Sequence, residues 1–282
     1  VQSNVSTHVA RLERELGASL VNRTTGELTN AGELVVGRAR RVQAELEALT
    51  ADVASSLGEV SGQVRLGVIG TTGRWLLPAL LDLLAETHPQ IHLVTIDATT
   101  TSLIPRLATG NLDLAVVNLP AVDPDVDVEP LFEEEHVVLA ANEHPLMADQ
   151  DRDAIELADL GSIPLLLEPV GTGFRDDLDV DADRVGVKLE ALAEVDGMRL
   201  LASLAYQGHG AAILPASAVV DWSDGSSRTL PLHGTTPRAV GLATRRRGRL
   251  SSPAQATVEL IHTVVGDHVP LRPGLRMITP ER

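Results

Sequence analysis

Apolar and polar residues alternate with a helical period from the start of the chain to Leu16. The apolar face is formed by residues at helical spacing: Val5, Val9, Leu12 and Leu16. Polar side chains occupy another face, namely Gln2, Ser6, Thr7 and Arg11. Gly17 follows where such a helix is expected to end. Because a compact helix with a polar first turn fits the major groove of duplex DNA, the pattern predicts a helix that reads base edges.

A second helix is predicted over residues 35–53. Its apolar positions are spaced 4, 3, 4, 3 and 4 residues apart: Val35, Ala39, Val42, Leu46, Leu49 and Val53. This is heptad spacing, and so narrow an apolar stripe gains most by packing against a second copy of the same helix. The spacing therefore predicts a homodimer. Packing of the stripe on the helix's own domain is the alternative.

Strands and helices alternate through the rest of the chain, after a glycine-rich hinge at 58–62. The first set comprises strands at 64–69, 91–96 and 112–117 and helices at 74–87 and 102–109. The second set comprises strands at 136–141, 164–167, 187–192 and 211–214 and helices at 175–185 and 198–206. A strand at 240–244 and a helix at 253–265 are expected to pack with the first set of elements, in the same lobe. The alternation predicts mostly parallel sheets in two lobes, joined by two crossing strands, with a ligand cleft between the lobes.

Composition changes this picture in three respects. The net charge of -16 argues against DNA binding, but residues 1–43 carry six Arg against four Glu, so the acidic excess belongs to the body of the chain. Aromatic residues make up 2%, too few for platforms that stack single-stranded bases, which favours duplex DNA. Cysteine is absent, which is typical of a reducing compartment. We therefore expect a cytoplasmic protein, and no apolar run is long enough to span a membrane.

Several motifs resemble a known family. In the N-terminal part they are Gln2-Ser3-x-Val5-Ser6, Leu12-Glu13, Leu16-Gly17, Arg23-Thr24 and Leu28-Thr29-x-Ala31-Gly32. In this order they resemble the winged helix-turn-helix of LysR-type transcriptional regulators. Further matches to the family's effector-binding domain lie at residues 62–67, 77–78, 88–89, 110–115, 143–146 and 208–215. Members of the family usually carry two helices before this point, so we expect the present chain to bind DNA poorly.

The resemblance implies an α/β fold and its division into domains. Residues 1–32 would form a partial winged helix-turn-helix, and residues 33–60 a long linker helix for dimerisation. Residues 61–266 would form a two-lobed effector-binding domain like that of periplasmic binding proteins. Its lobe I would span about 61–135 and 238–266, and its lobe II about 136–237. A flexible tail is expected at 267–282, and the assembly is expected to be a homodimer or a homotetramer.

The resemblance also assigns residues to duplex DNA. In the major groove, base edges would be read by Gln2, Ser3, Ser6 and Thr7. Phosphates would be contacted by Arg11 and Arg23.

Three turns rich in glycine or hydroxyl groups are candidates for binding a small-molecule effector. In lobe I they contribute Thr71 and Thr72 after the first strand, and Thr100, Thr101 and Ser102 after the next. In lobe II the turn after the strand at 164–167 contributes Thr172 and Phe174. Because helix N-termini attract negative charge, a small organic anion is the expected effector. The alternative is that these hydroxyls are ordinary helix caps.

Two more residues have open roles. His209 lies between two glycines and is expected either to point into the cleft or to cap the helix before it. Arg175 either holds a carboxylate of the effector or lies on the solvated surface.

Catalytic and metal-binding patterns find little support. The sequence contains no His-x-x-x-His, His-Glu-x-x-His or Gly-x-Ser-x-Gly motif. The acidic run at 176–183 lacks the spacing of a calcium loop and predicts a solvated helix face. We expect no enzyme activity, cofactor or metal. The expected function is a DNA-binding, effector-responsive regulator; a solute-binding module without a DNA role is the alternative.

Overall fold

The computed structural model describes residues 2–219 and 225–278, with side chains described from Val5 onward. The N-terminal unit consists of helix α1 (Gln2–Leu16), an antiparallel bridge between Val21 and Leu28, and the first turns of helix α2 (Asn30–Ser56). The bridge closes a short wing between the two helices. This arrangement fits the predicted winged reading unit.

Side-chain hydrogen bonds fix the wing against both helices. Glu13 Oε1 accepts from the backbone N–H of Leu20 at 2.8 Å and of Val21 at 3.3 Å. Thr29 caps α2, because its Oγ1 accepts from the Gly32 N–H at 3.0 Å. A Cβ added to Gly32 would lie 2.0 Å from the Leu20 carbonyl oxygen, so only glycine permits this approach.

Helix α2 is 27 residues long and about 40 Å from end to end. On its heptad stripe, four apolar side chains are each more than half exposed: Val42, Leu46, Leu49 and Val53. The alternative that the stripe packs on its own domain is therefore wrong. The stripe faces outward, as a surface for a second helix requires.

Two six-stranded sheets form the body. The first contains β1 (Gly62–Val68), β2 (Ile91–Asp97), β3 (Leu114–Asn118), β4 (Val126–Glu134), β11 (Arg238–Arg245) and β12 (Leu275–Met277), in the order β12-β4-β11-β3-β1-β2. Its helices are α3 (Gly70–Thr87), α4 (Thr100–Ala108) and α7 (Ser252–His268). The second contains β5 (His136–Ala141), β6 (Ile155–Glu156), β7 (Pro164–Leu167), β8 (Glu190–Glu194), β9 (Ala211–Pro215) and β10 (Ser227–His233), in the order β6-β10-β5-β9-β7-β8. Its helices are α5 (Gly173–Arg184) and α6 (Met198–Tyr206).

The two lobes are joined where β4 leads into β5 and where β10 leads into β11. The predicted pair of crossing connections is therefore present. The prediction of mostly parallel sheets is wrong, because β11 pairs antiparallel with β3 and β4, and β5 pairs antiparallel with β9 and β10. The physical reason is the crossing itself: a strand that returns from the other lobe enters its sheet from the opposite end.

Each lobe has its own apolar core. In lobe I, α3, α4 and α7 pack on the sheet around wholly buried side chains such as Leu66, Leu103 and Phe132. In lobe II, separate clusters cover the two faces of the sheet, one centred on Ile213 and the other on Leu214. Ile213 and Leu214 are consecutive residues of β9, so their side chains point to opposite faces of the sheet. Because both are buried, the sheet is covered on both faces.

The expectation of a flexible tail from residue 267 is wrong for residues 267–278. Helix α7 continues to His268, a 3-10 turn follows at Val269–Leu271, and β12 pairs antiparallel with β4. Val269 and Leu275 are buried in lobe I, and this burial orders the segment despite its prolines.

Several boundaries differ from prediction near the cleft, most of all those of α3 and β8. Helix α3 begins at Gly70 instead of residue 74, and β8 spans Glu190–Glu194 instead of 187–192. Within the described residues, no helix combines the length and the apolar character needed to cross a bilayer.

Candidate ligand cleft and nucleic-acid interface

The hydroxyl-rich turns of lobe I lie side by side. Strands β1 and β2 are parallel, with Val68 opposite Asp97, so the chain leaves both at the same edge of the sheet. Helix α3 starts at Gly70 directly after β1, and α4 starts at Thr100 directly after β2. Two helix N-termini thus meet at the edge that faces lobe II, as the sequence predicts.

Thr71 and Thr72 belong to the first turn of α3 and not to a loop before it, and both are buried. Thr71 Oγ1 accepts a hydrogen bond from Arg238 Nη2 at 3.2 Å. Thr72 Oγ1 has no hydrogen-bond partner among the described residues. Thr72 is 0% exposed, so its hydroxyl is a fully enclosed polar group, and its role toward an effector stays a prediction.

A buried ion pair lies where the strands cross. Arg238, the first residue of β11, donates from Nε at 2.8 Å and from Nη2 to Oε1 of Glu134, the last residue of β4. The Glu134 side chain is 0% exposed, and its Oε2 accepts from the Ser217 N–H at 3.1 Å. The carboxylate therefore holds together both crossing strands and the 3-10 turn that follows β9.

Phe174 approaches this ion pair from lobe II. Its ring lies 6.0 Å from the Arg238 guanidinium carbon and packs edge-on against His136, with ring centroids 5.1 Å apart. Burial, with a further contribution from the Arg238 charge, lowers the pKa of His136 to about 4. The imidazole is therefore neutral at pH 7. Through Arg238, the structure brings together the predicted residues Thr71 and Phe174 from different lobes.

A second contact between the lobes was not predicted. Arg199 Nη2, near the start of α6, lies 2.5 Å from Asp97 Oδ2 at the end of β2. Arg74 Nη1 on α3 donates to the Ala218 carbonyl at 3.1 Å. The sequence gives no sign of the first pair, because local periodicity does not relate residues on different lobes.

The hydroxyls at α4 have mainly local partners. Thr100 Oγ1 accepts from the Asn118 N–H at 3.0 Å, and Thr99 and Thr101 share a hydrogen bond of 3.0 Å between their hydroxyls. Thr101 is exposed and Ser102 is half-buried. Thr100 therefore ties α4 to β3, whereas Thr101 and Ser102 retain exposed surface.

The lobe II turn is largely structural. Thr172 is the N-cap of α5, because its Oγ1 accepts from the Arg175 N–H at 3.4 Å and donates to the Pro169 carbonyl at 2.9 Å. Arg175 is buried and pairs with Asp179 at 2.9 Å and Glu194 at 3.5 Å. The solvated-surface alternative for Arg175 is wrong, because the side chain is buried and binds carboxylates of its own lobe; a role toward an effector carboxylate stays a prediction.

The placement of His209 in the cleft is not supported. His209 is exposed and lies two residues before β9. Strands β7 and β9 are parallel, so the start of β9 lies at the edge opposite the turn that follows β7. The far end of β9 reaches the crossing instead, where the Ala216 N–H donates to Glu135 O at 2.9 Å.

The acidic run on α5 is not uniformly solvated. Asp181 is buried and accepts from the Thr236 N–H at 2.6 Å and from Arg184 Nη1 at 2.6 Å. Across the part of the chain that the structure describes, no three His, Cys, Asp or Glu side chains form a group able to hold a metal ion.

The predicted DNA-binding residues occupy α1 and the wing. The side chains of Gln2 and Ser3 lie outside the described residues, while Ser6, Thr7 and Arg11 are exposed. Arg11 pairs with Glu15 at 2.9 Å, and Arg23 pairs with Glu13 at 3.3 Å while remaining 78% exposed. Both guanidinium groups can be reached by a phosphate, which would compete with these carboxylates.

A two-lobed α/β domain with a polar cleft, carried on a long helix behind a winged reading unit, defines the class of ligand-responsive transcriptional regulators. Comparisons with known proteins agree. Residues 57–266 match the family described as the LysR substrate binding domain, and residues 1–33 match that described as bacterial regulatory helix-turn-helix protein, lysR family.

Three relatives show how far the similarity extends. A probable hydrogen peroxide-inducible genes activator of Streptomyces viridosporus is 33% identical over 250 residues, covering 86% of this chain and 79% of that protein. The DNA-binding transcriptional dual regulator OxyR of Escherichia coli is 29% identical over 272 residues, covering 95% and 88%. The structure of full-length OxyR from Pseudomonas aeruginosa with a cysteine-to-aspartate substitution gives a TM-score of 0.74 at 26% identity, covering 100% of this chain and 90% of that one.

The chain therefore belongs to the LysR family of DNA-binding transcriptional regulators, and its two-lobed body is the family's effector-binding domain. Regulators of this family bind DNA and small-molecule effectors and form oligomers.

Proposed function

We propose that the cleft between the lobes binds a small organic anion, and that binding changes the spacing or angle between two DNA-reading helices in a homodimer. The observation that carries this proposal is the position of Arg238, which contacts Thr71 of lobe I and Phe174 of lobe II. A ligand at this point touches both lobes and can favour one relative arrangement over another. Only such a difference in affinity shifts the equilibrium.

The electrostatics of the cleft favour an anion. The N-termini of α3 and α4 meet at its lobe I edge, and each carries a partial positive charge. The nearby carboxylates of Glu134 and Asp97 are each paired with an arginine, so their repulsion of a ligand is reduced. Arg199 is 61% exposed and can turn from Asp97 to a ligand carboxylate.

The absence of cysteine separates this chain from thiol-based sensing. The relative from Streptomyces viridosporus is named as a probable activator of hydrogen peroxide-inducible genes, and a thiolate is the side chain that peroxide oxidises reversibly to a disulfide. None of the 282 residues is cysteine. We infer that the signal is a reversibly bound ligand and not oxidation of a thiol.

The exposed heptad stripe of α2 supports a dimer. An isolated helix gains nothing from exposing Val42, Leu46, Leu49 and Val53, whereas two copies bury these side chains against each other. The pairing would hold two α1 helices at a fixed separation for successive major grooves, with Ser6, Thr7, Arg11 and Arg23 directed at DNA together with Gln2 and Ser3. The finer assembly, a dimer or a tetramer built from dimers, is part of this proposal.

We further propose a cytoplasmic, non-enzymatic role. Support comes from the relatives, which are transcriptional regulators, and from the match of residues 1–33 to a DNA-binding unit. That match also disfavours a solute-binding module without a DNA role.

Calorimetry on the chain tests the ligand class. The titrants are a panel of aliphatic and aromatic carboxylic acids and the matching neutral amides. We expect at least one acid to bind and its amide to bind about tenfold or more weakly, because a charge-assisted hydrogen bond is lost. Arg199→Gln should weaken acid binding, while Arg106→Gln, an exposed residue at the far end of α4, should not. Preference for the amides contradicts the proposal.

A further inference from the structure

Helix α2 has a second face, which docks on the effector-binding domain of the same chain. Arg41 Nη2 donates to the Ala108 carbonyl at 2.6 Å and lies 3.2 Å from Asp125 Oδ2. Glu47 Oε2 accepts from Arg65 Nη2 at 2.9 Å. These contacts extend along one side of the helix, opposite the exposed heptad stripe.

The docking continues to the last turns of α2. Asp52 Oδ1 accepts from the Ser252 N–H at 2.7 Å and from its hydroxyl at 2.8 Å, which ties α2 to the start of α7. Ala51 is buried beside Gly62, where an added Cβ would lie 3.4 Å from the Ala51 Cβ. We call this contact, formed by Arg41, Glu47, Ala51 and Asp52 of α2, the linker clamp.

The linker clamp is polar and incompletely packed. A cavity of about 400 Å³ remains between α2, β1 and the start of α7. The α2 side chains lining it are mostly small: Ala44, Ala48, Thr50, Ala51 and Ala54. Because this cavity opens to solvent and is lined largely by small side chains, the contact buries little apolar area and is suited to forming and separating.

Three rigid elements run from the ligand cleft to the clamp. Helix α4 begins at Thr100 beside the cleft and ends at Ala108, whose carbonyl binds Arg41. Strand β1 carries Arg65 in the clamp and leads directly into Thr71. Strand β11 begins at Arg238 in the cleft and ends at Arg245, which also lines the clamp cavity. These elements form a continuous path through lobe I from the cleft edge to the clamp.

We propose that the linker clamp is a regulated docking surface whose occupant is the chain's own effector-binding domain. In the docked state it sets the angle between that domain and the α2 pair, and movement of the lobes changes its stability. The effect of ligand on the clamp rests on the proposed function, whereas docking within one chain does not.

The absence of cysteine makes disulfide trapping a direct test. A Cβ placed on Gly37 would lie 4.0 Å from Thr109 Cγ2, just beyond the C-terminal end of α4, which is within reach of a disulfide. Gly37→Cys with Thr109→Cys should form a disulfide within one chain, detected as a faster-migrating monomer on a non-reducing gel. Gly37→Cys with Thr101→Cys, at the other end of α4, is the matched control and should not. A pair that links only between chains, or not at all, overturns docking within the chain.

The same chemistry separates this inference from the proposed dimer. Leu46→Cys alone, on the heptad stripe, should link two chains. If Leu46→Cys forms no disulfide between chains while the Gly37 and Thr109 pair forms its disulfide within one chain, the dimer is refuted and the clamp stands. If Leu46→Cys links two chains while the Gly37 and Thr109 pair forms no disulfide within one chain, the clamp is refuted and the dimer stands.

Coupling to the cleft is tested without a ligand. Asp97→Asn removes the ion pair with Arg199 that joins the lobes, and it should change the rate of disulfide formation by the Gly37 and Thr109 pair at least threefold. Asp82→Asn, an exposed residue on α3, is the control and should leave the rate unchanged. Equal rates of disulfide formation in the parent double-cysteine chain and in its Asp97→Asn and Asp82→Asn versions overturn the coupling.

Discussion

Glu134 and Arg238 occupy paired positions on adjacent strands, β4 and β11, at the point where the chain crosses between the lobes, and their side chains form a buried ion pair. The pair also holds Thr71 through Arg238 and the 3-10 turn after β9 through Glu134. Because both connections between the lobes meet here, the ion pair fixes the geometry of the ligand cleft.

Removing one partner of this ion pair should strongly destabilise the folded protein. Glu134→Gln leaves the Arg238 charge buried and uncompensated, so we expect the free energy of unfolding to fall by about 3 kcal/mol. Urea denaturation measures it. Asp97→Asn, which breaks the exposed pair with Arg199, is the matched comparison and should cost less than about 1 kcal/mol. Equal losses for the two variants contradict the structural role given to Glu134.

His136 should make the protein less stable in mild acid. Burial lowers its pKa in the folded protein to about 4, against 6.5 in the unfolded chain. Between these values the unfolded chain binds more protons, so the free energy of unfolding falls as the pH falls, by up to about 1.4 kcal/mol per pH unit. Unfolding curves at pH 7, 6, 5 and 4.5 measure the slope.

The comparison is with two variants. His136→Leu should flatten this slope, whatever its effect on stability at pH 7, whereas His209→Leu, at an exposed histidine, should keep it. An unchanged slope in His136→Leu assigns the pH dependence to other groups.

Gly32 should be irreplaceable at the junction of the wing and α2. Gly32→Ala places a Cβ 2.0 Å from the Leu20 carbonyl oxygen, so the two backbones must separate. We expect a loss of more than about 2 kcal/mol in local stability, seen as faster amide hydrogen exchange at Leu20, Val21 and Gly32.

Gly37→Ala is the matched control on the same helix. The nearest atom to its added Cβ is Thr109 Cγ2 at 4.0 Å, so the substitution should stabilise the helix by about 1 kcal/mol. Similar exchange rates in the two variants contradict the close packing at Gly32.

Charges on the heptad stripe should prevent dimerisation. Leu46→Lys with Leu49→Lys places two like charges per chain in the pairing surface, and sedimentation velocity should then show a monomer with an unchanged far-UV circular dichroism spectrum. Gln43→Lys adds a charge to an exposed position of α2 outside the stripe and should leave the assembly intact. A doubly substituted chain that still dimerises shows that α2 does not form the interface.

Local patterns determined most of the elements. Heptad spacing located α2 and its outward stripe, and alternation of apolar strands with amphipathic helices located two lobes with crossing strands. These signals are periodic within one segment, so they can be recognised without knowing what the segment packs against. The motifs likewise fixed the family, since the wing, the Thr29 cap and Gly32 depend on short-range geometry.

Only the tertiary structure decided which distant residues meet. Arg238 contacts Glu134, Thr71 and Phe174. On the docking face of α2, Arg41 contacts Ala108. In both cases the fold brings together positions that are far apart along the chain. The burial of Arg175 was missed in part for the same reason, since one of its two carboxylate partners, Glu194, lies on β8. His209 was placed near the cleft because strand direction, which puts it at the far edge, cannot be read from the sequence. The burial of Val269 and Leu275 ordered a tail that composition alone makes look flexible. Periodicity shows which face of a segment is buried, but the partner of that face is set by the free energy of packing the whole chain.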